Sequence, residues 1–304
     1  MANVIAVSSL SANLHRKFIA TARFTNQIGG LWEKTVINET LPKGQGGTFN
    51  WPKYSTFSAT ALTDGLPIST ASVISTSSVA ITPSEIGVMW IMTKKANDQA
   101  SENVARAAGQ LAANALKVKI DTDGIGLASG YSGTVAGTGV TLTAGHLSAA
   151  VARVRGNATE PGVGDGRLMG NPGGCGPITA MFHDFSYQPM ANDLVGLGAG
   201  GANAYPIPDG PSALILKDYL MGRAFGANIV TNPNMTPNST PDAANMIYGK
   251  NSAVIVWWDK FNEDSDKDVT LRGTVSVVTS DYGYAELVDA WGIYALAAAS
   301  TPSS

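Results

Sequence analysis

The sequence predicts an α+β chain, with β-rich stretches towards both ends, one long helix after the first of them, and a mixed middle. Three observations predict it. Residues 48–95 and 253–298 are built from alternating or continuous apolar runs rich in Val, Ile and Thr, the pattern of half-buried and buried strands. Residues 98–123 repeat apolar side chains at steps of three and four, the period of an amphipathic helix. Between these regions, short apolar runs alternate with loops rich in glycine and proline, of which the chain has 34 and 15.

Taken in order, residues 1–45 show no lasting period. Leu10, Leu14 and Phe18 fall at helical spacing, but Gly29-Gly30 and Gly44-Gln45-Gly46-Gly47 break the segment. So interrupted a segment buries little by itself and reads as an extended arm. Its cations Arg16, Lys17, Arg23, Lys34 and Lys43 outnumber Glu33 and Glu39. Thr48-Phe49-Asn50-Trp51 alternates as a strand does, and a second run spans Ser72 to Lys95, with Pro83 marking a break or an edge. The connection from Ser55 to Thr70, carrying Asp64-Gly65 and Pro67, is far longer than a tight hairpin turn of roughly two to five residues. The natural reading is a two-stranded tongue with an irregular tip. An isolated hairpin is marginal in water, so this one must lie on something.

The helix over 98–123 uses Val104, Ala108, Leu111, Ala115 and Val118 as its stripe, with Asp98 and Glu102 at its start and Lys117 and Lys119 at its end. Both placements suit the helix dipole. Such a helix is about 37 Å long at ~1.5 Å per residue. Residues 124–140 read as a loop, and Thr143 caps a second helix ending near Gly156. Asn157–Gly176 is a loop, and Ile178–His183 is a buried strand. Tyr187, Met190, Ala191 and Leu194 define a short helix, and Gly196–Pro211 is again loop. Ala213–Phe225 reads as a helix, Asn228–Thr231 as a strand, 232–246 as a loop, and Ala253–Trp258 as a strand. An acidic link, Asp259–Asp268, leads to alternating Val269, Leu271, Val275 and Val277 and to a final apolar run, Ala290–Ala298. The first and last β segments flank the middle. Their pairing makes one elongated β layer beside the long helix, with the middle inserted on its own core.

Composition narrows the function. Charged residues are only 14% and the net charge is -3, against a usual charged share of about 25%. A strongly basic nucleic-acid binder is excluded, and so sparsely charged a chain hides surface against partners or presents a Ser/Thr/Asn/Gly surface. No apolar run approaches the ~18 residues of a membrane span. His15, Arg16 and Lys17 follow the apolar residues of the N-terminus, the reverse of a secretory signal. One cysteine, Cys175, excludes an intrachain disulfide and Cys-based zinc sites.

Chemical motifs are weak. Gly196-x-Gly198-x-x-Gly201 has the spelling of a dinucleotide fingerprint but precedes Tyr205-Pro206-Ile207-Pro208, which is no helix start. Asp264, Asp266 and Asp268 have calcium-loop spacing, yet Val269 and Val275 occupy the glycine and glutamate positions; a solvated acidic turn is the plainer reading. His183-Asp184 resembles a base and its orienting group, but with three histidines and no nucleophile elbow, His183 reads as a capping or interface residue. Cys175 has no flanking base and reads as a free thiol. Trp51, Trp90, Trp257, Trp258 and Trp291 fall in strands or apolar runs and read as core, or as intersubunit anchors. Asn38, Asn157, Asn234 and Asn238 begin sequons that mean nothing without secretion. No catalytic residue, cofactor site or metal site is assigned.

This order of elements resembles the major capsid proteins of tailed bacteriophages with the Hong Kong 97-type fold, and the resemblance covers nearly the whole chain. It implies an N-terminal arm at 1–45, an E-loop hairpin at 46–97, a P-domain at 98–140 and 259–304 with the spine helix and long strands, and an A-domain at 141–258. The stretch Ile178–Ser186 followed by Asp193-Leu194 is similar to the strand-then-helix pattern of that family's A-domain. No charged helical prefix is visible, so the resemblance implies a separate scaffolding protein. Some members cross-link a Lys to an Asn between subunits; Lys53 lies on the tongue without a matching Asn or Glu, and that chemistry is not carried over.

The expected function is therefore a coat subunit that assembles into hexamers and pentamers of an icosahedral head around double-stranded DNA. The chain is not read as an enzyme. Its expected partners are its own copies, scaffolding protein, portal, decoration proteins, and DNA by weak non-specific contact, with no membrane. The expected location is the virion, after synthesis in the host cytoplasm. Trp51, Lys53, Leu62, Asp64, Leu66, Ile68, Phe18 and Phe24 are the candidate intersubunit contacts, and the glycine-rich loops 162–176 and 196–211 are candidates for the capsomer centre. An encapsulin-like shell protein, a surface adhesin and an α/β enzyme with an unrecognised site are the alternatives.

Overall fold

A computed structural model describes residues 4–5, 30–42, 47–54, 57, 59–62, 64, 71, 73–99, 104–156, 174–195, 222–235 and 237–301. The strands are β1 (Val4–Ile5), β2 (Ile37–Thr40), β3 (Phe49–Tyr54), β4 (Thr76–Ile81), β5 (Ser84–Thr93), β6 (Gly133–Ala136), β7 (Ile178–Phe182), β8 (Arg223–Ala224), β9 (Ala227–Thr231), β10 (Asp242–Gly249), β11 (Ala253–Asp268), β12 (Gly273–Glu286) and β13 (Gly292–Ala298). The α-helices are α1 (Lys94–Gln99), α2 (Val104–Gly126), α3 (Ala144–Gly156) and α4 (Asp184–Val195).

Two sheets carry the fold. The first has the order β1-β5-β12-β11-β2, with β5, β12 and β11 antiparallel and β1 and β2 added parallel at its edges. It joins the first and last β segments into the elongated layer that their order predicts, with α2 along one face. The second has the order β6-β13-β10-β7-β9-β8. β7 is buried at every position, which is why its sequence, Ile-Thr-Ala-Met-Phe, carries no charge and no polar alternation. β3 and β4 form a separate two-stranded tongue.

Several segments differ from expectation, each for a physical reason. The run Ser72–Lys95 divides at Pro83: β4 stays in the tongue, while β5 pairs with β12 over Ser84–Thr93. Proline cannot donate to a ladder, so the chain changes sheets there. The long helix begins after α1, and Asp98 lies in α1, away from the α2 start. Its buried stripe is Ala112, Leu116 and Ile120, whereas Leu111, from the stripe read in the sequence, is 49% exposed. Two apolar stripes lie one residue apart on this alanine-rich helix, and the bulkier one went inward. Lys119 is not in the last turn; it pairs with Asp123 at 2.6 Å, one turn on. The 124–140 loop contains β6, the edge partner of β13. The 232–246 loop gives way at Asp242 to β10, a central strand. Its Asn245 is fully buried and satisfied: Oδ1 accepts the His183 N–H at 2.8 Å, and Nδ2 donates to the carbonyls of Ala243 and Ala295. The acidic link is no link, because β11 continues through it to Asp268. β13, grouped in the sequence with the long strands, closes the six-stranded sheet instead. Of the expected helix 213–225, residues 213–221 lie outside the described residues, and its end is the β8–β9 turn, with Phe225 at φ 50°.

The largest departure is the arm. Its last part is core: Trp32 and Val36 are buried, and β2 pairs with β11. β1 pairs with β5 at Ile91 and Met92, so both described pieces of the arm complete their own subunit's sheet. The anchor is Asp121 on α2, which is fully buried. Its Oδ1 accepts the Trp32 backbone N–H at 2.8 Å, and its Oδ2 accepts Nδ2 of Asn232 at 2.6 Å and of Asn234 at 3.0 Å. One turn on, Gly124 makes the seat: a Cβ there would stand 2.2 Å from the Trp32 ring.

Removing a buried acceptor leaves its donors unpaired, at about 1–3 kcal/mol each before relaxation. Asp121→Ala is therefore expected to lower the urea midpoint by the equivalent of roughly 3 kcal/mol. Urea unfolding followed by tryptophan fluorescence checks this, and an unchanged midpoint would contradict the anchoring role.

Candidate functional site

The tongue is the first candidate surface. Phe49 faces Ile81 and Trp51 faces Val79 across the β3–β4 ladder. Ile81 is buried, and Phe49, Trp51 and Val79 pack on the main core of the same subunit, with the two aromatic rings edge-to-face at 6.0 Å. Lys53 is half-buried at the next same-face position of β3, and its charge acts on Glu286 at the end of β12. Burial pushes the Glu286 carboxyl up, the neighbouring Asp289 adds to this, and Lys53 opposes it. Asp289 is itself held by the Ser132 N–H at 2.7 Å and by the Ser132 hydroxyl.

Beyond this root the apolar side chains of the tongue face solvent. Tyr54 (58%), Phe57 (60%), Leu62 (66%), Val73 (82%) and Ile74 (59%) are exposed. Asp64 is exposed in a turn. Of the candidate contacts, Trp51 and Lys53 therefore sit at the root, Leu62 and Asp64 in the outer part, and Leu66, Ile68, Phe18 and Phe24 outside the described residues. Loops 162–173 and 196–211 also lie outside them. Tyr54, Phe57, Val73 and Ile74 are not among the residues expected from the sequence, although their signal is visible there: large apolar residues within a Ser/Thr-rich stretch.

The second surface is the long ribbon β5-β12-β11. Residues directly opposite share a face. The ladder places Asp259 opposite Asp281, Asp281 opposite Glu85, Asp264 opposite Val277 and Asp266 opposite Val275. All these carboxylates occupy the face away from α2, whose own side carries Tyr282, hydrogen-bonded to Asp123 at 2.7 Å. Asp264 and Asp266, expected in a turn, are thus strand residues. Asp268 ends the strand and accepts from Thr270 and Leu271, bonds that lower its carboxyl.

The remaining chemical candidates have structural work. His183 caps α4: its Nδ1 accepts the Phe185 N–H at 3.1 Å, and burial lowers its pKa. Thr143 caps α3, with its Oγ1 accepting the His146 N–H at 3.4 Å. Burial pushes the Cys175 thiol up to about 11, the opposite of nucleophile activation. Among the described residues no group of three or more His, Cys, Asp or Glu could hold a metal ion, and no helix is long and apolar enough to cross a membrane.

The arrangement of the chain as a whole recurs in solved structures. The capsid of cyanophage Pam1 matches with a TM-score of 0.71 at 14% identity, covering 99% of this chain and 100% of that one. The capsid of Ralstonia phage GP4 matches with a TM-score of 0.70 at 9% identity, covering 100% of both chains. The fold is a phage capsid fold. The capsid of cyanophage P-SCSP1u agrees, with a TM-score of 0.67, 14% identity and coverage of 94% and 93%. No protein-family model matches the sequence, and neither does any curated protein. The Hong Kong 97-type α+β capsid fold expected from the element order is therefore the observed fold, carried on a sequence far from those of its structural neighbours.

Two predictions follow from the groups of this capsid fold. Burial, then Glu85 and Asp259, raise the Asp281 pKa. A raised carboxyl favours the folded state below its unfolded pKa and loses that contribution as pH rises through the folded value. Asp281→Asn is expected to raise the melting temperature at pH 7 by roughly 1–3 °C and to flatten the gain the parent shows on acidification towards pH 4. Melting curves at both pH values check it; equal Tm at pH 7 would refute it. Cys175, fully buried, is expected to resist a thiol reagent at pH 8 until denaturant is added, as read by absorbance.

Proposed function

We propose that the chain is a structural coat subunit of a phage head, which assembles into hexamers and pentamers around double-stranded DNA. The observation that supports this most is the end-to-end likeness to phage capsid proteins. In this reading residues 1–45 are the arm, 46–97 the E-loop region, 98–140 and 259–304 the P-domain, and 141–258 the A-domain. Function here is assembly. The outer part of the tongue, where Leu62 and Asp64 are exposed, lies over the neighbouring subunit, with Leu66 and Ile68 as further contacts, while Trp51 and Lys53 hold its root. Phe18 and Phe24 of the arm are further contacts.

Each large apolar side chain moved from water into such a contact contributes about 1.5–3 kcal/mol. Individual contacts stay modest, and the closed shell accumulates them. A mildly acidic inner wall lets packaged DNA slide. Scaffolding, portal and decoration proteins complete the set of partners, and the site of action is the virion, after synthesis in the host cytoplasm.

Size-exclusion chromatography with negative-stain microscopy of the expressed chain tests the reading, and shells are the expected product. Deleting residues 58–69 is expected to leave a folded subunit, by circular dichroism and thermal melting, that forms no closed particles. Normal particles from that deletion would remove the tongue from the mechanism.

A further inference from the structure

The outer end of the ribbon carries two oppositely charged patches on opposite faces. On the α2 side, an open cleft of about 740 Å³ is lined by Lys94, Lys267, Arg272 and, among others, Asp98 and Asp268. Among the described residues no carboxylate lies within ion-pair distance of these three cations. Asp268 is turned to its own loop, where Thr270 and Leu271 donate to it. Arg272 stands at φ 46°, a left-handed conformation unfavourable for a non-glycine residue, and its carbonyl accepts the Lys94 N–H at 2.9 Å. The strained turn therefore holds Arg272 beside α1. On the other face, Asp264 and Asp266 are exposed, with Glu85, Asp259 and Asp281 behind them. Of the two lysines of β11, Lys267 lines the cleft and gives Asp266 its backbone N–H at 2.7 Å, while Lys260 is paired with Glu33 at 2.8 Å and set over the Trp257 ring.

We propose that the cleft of Lys94, Lys267 and Arg272 receives the Asp264–Asp266 face of a second copy of this chain. Charge complementarity supports this occupant: one subunit carries both the acceptor and the donor patch. Their placement also decides the symmetry. Patches on opposite faces of one ribbon cannot both be satisfied by two-fold stacking, so the contact is heterologous and closes into a ring or extends as a lattice. The exposed Val269 and Leu271 at the ribbon end would lie beside this contact. The inference rests on the coat-subunit reading and adds which surfaces meet.

Charge reversal in the full-length chain tests it, with assembly followed by light scattering and analytical ultracentrifugation across a salt series. Lys94→Glu with Lys267→Glu, and separately Asp264→Lys with Asp266→Lys, should each raise the assembly threshold by about tenfold or more. These exposed positions leave the fold intact, which thermal melting verifies. The chain carrying all four reversals should return to within about threefold of the parent, and the parent threshold should rise with salt. Normal assembly of either reversed chain, or failure of the fourfold variant to recover, would overturn the contact while leaving the coat-subunit reading in place. A parent chain that stays monomeric at every concentration tested would remove both.

Discussion

A charge taken out of water must be surrounded by donors, and Asp121 is the group that imposes this requirement here. Its two oxygens gather a backbone N–H from the arm and two side-chain amides from the turn after β9. Three stretches more than 80 residues apart thus meet on one helix. The consequence reaches outward. With Trp32 seated over Gly124 and Glu33 paired to Lys260, β2 is delivered to the edge of β11. The chain then leaves that edge towards β3, so the anchoring of the arm sets where the tongue departs from the body.

The tongue joins two regimes of burial. At its root, Ile81, Trp51 and Phe49 are paid into the subunit's own core; past Tyr54, apolar side chains face water. A free hairpin of this kind is marginal in water, and these exposed side chains are the ones that the proposed contact would cover. The ribbon presents a complementary electrostatic problem. Three carboxylates stand in one row across three strands, and burial, followed by the charges of Glu85 and Asp259, raises the Asp281 carboxyl. Like charges held in register on an exposed face also keep the open edge of β11 from pairing with other strands indiscriminately.

Much of the architecture was legible from local pattern. The tongue, the long helix, the buried β7, the Thr143 cap and the capping role of His183 each follow from spacing or from residue chemistry within a few positions. What escaped was whatever depends on partners far along the chain. Asp121 reads as one more polar residue on a helix, because nothing within a turn of it announces three donors from elsewhere. β10 begins in an Asn- and Ala-containing stretch that looks like loop until Asn245 is seen bonded to β7 and β13. The stripe on α2 was ambiguous between Leu111/Ala115 and Ala112/Leu116, and helical period alone does not choose between neighbouring stripes.

Composition and the 2.0 and 3.6 periods already carry the order and type of the main elements, the low charge, and the lack of any recognisable catalytic signature. Long-range pairing alone makes the arm complete its own sheet, turns the acidic stretch into strand, and aligns its carboxylates with Glu85 and Asp281. Register is the physical reason: which face a side chain occupies, and what stands opposite it, is settled by pairing between distant strands, and one residue of slip would invert it.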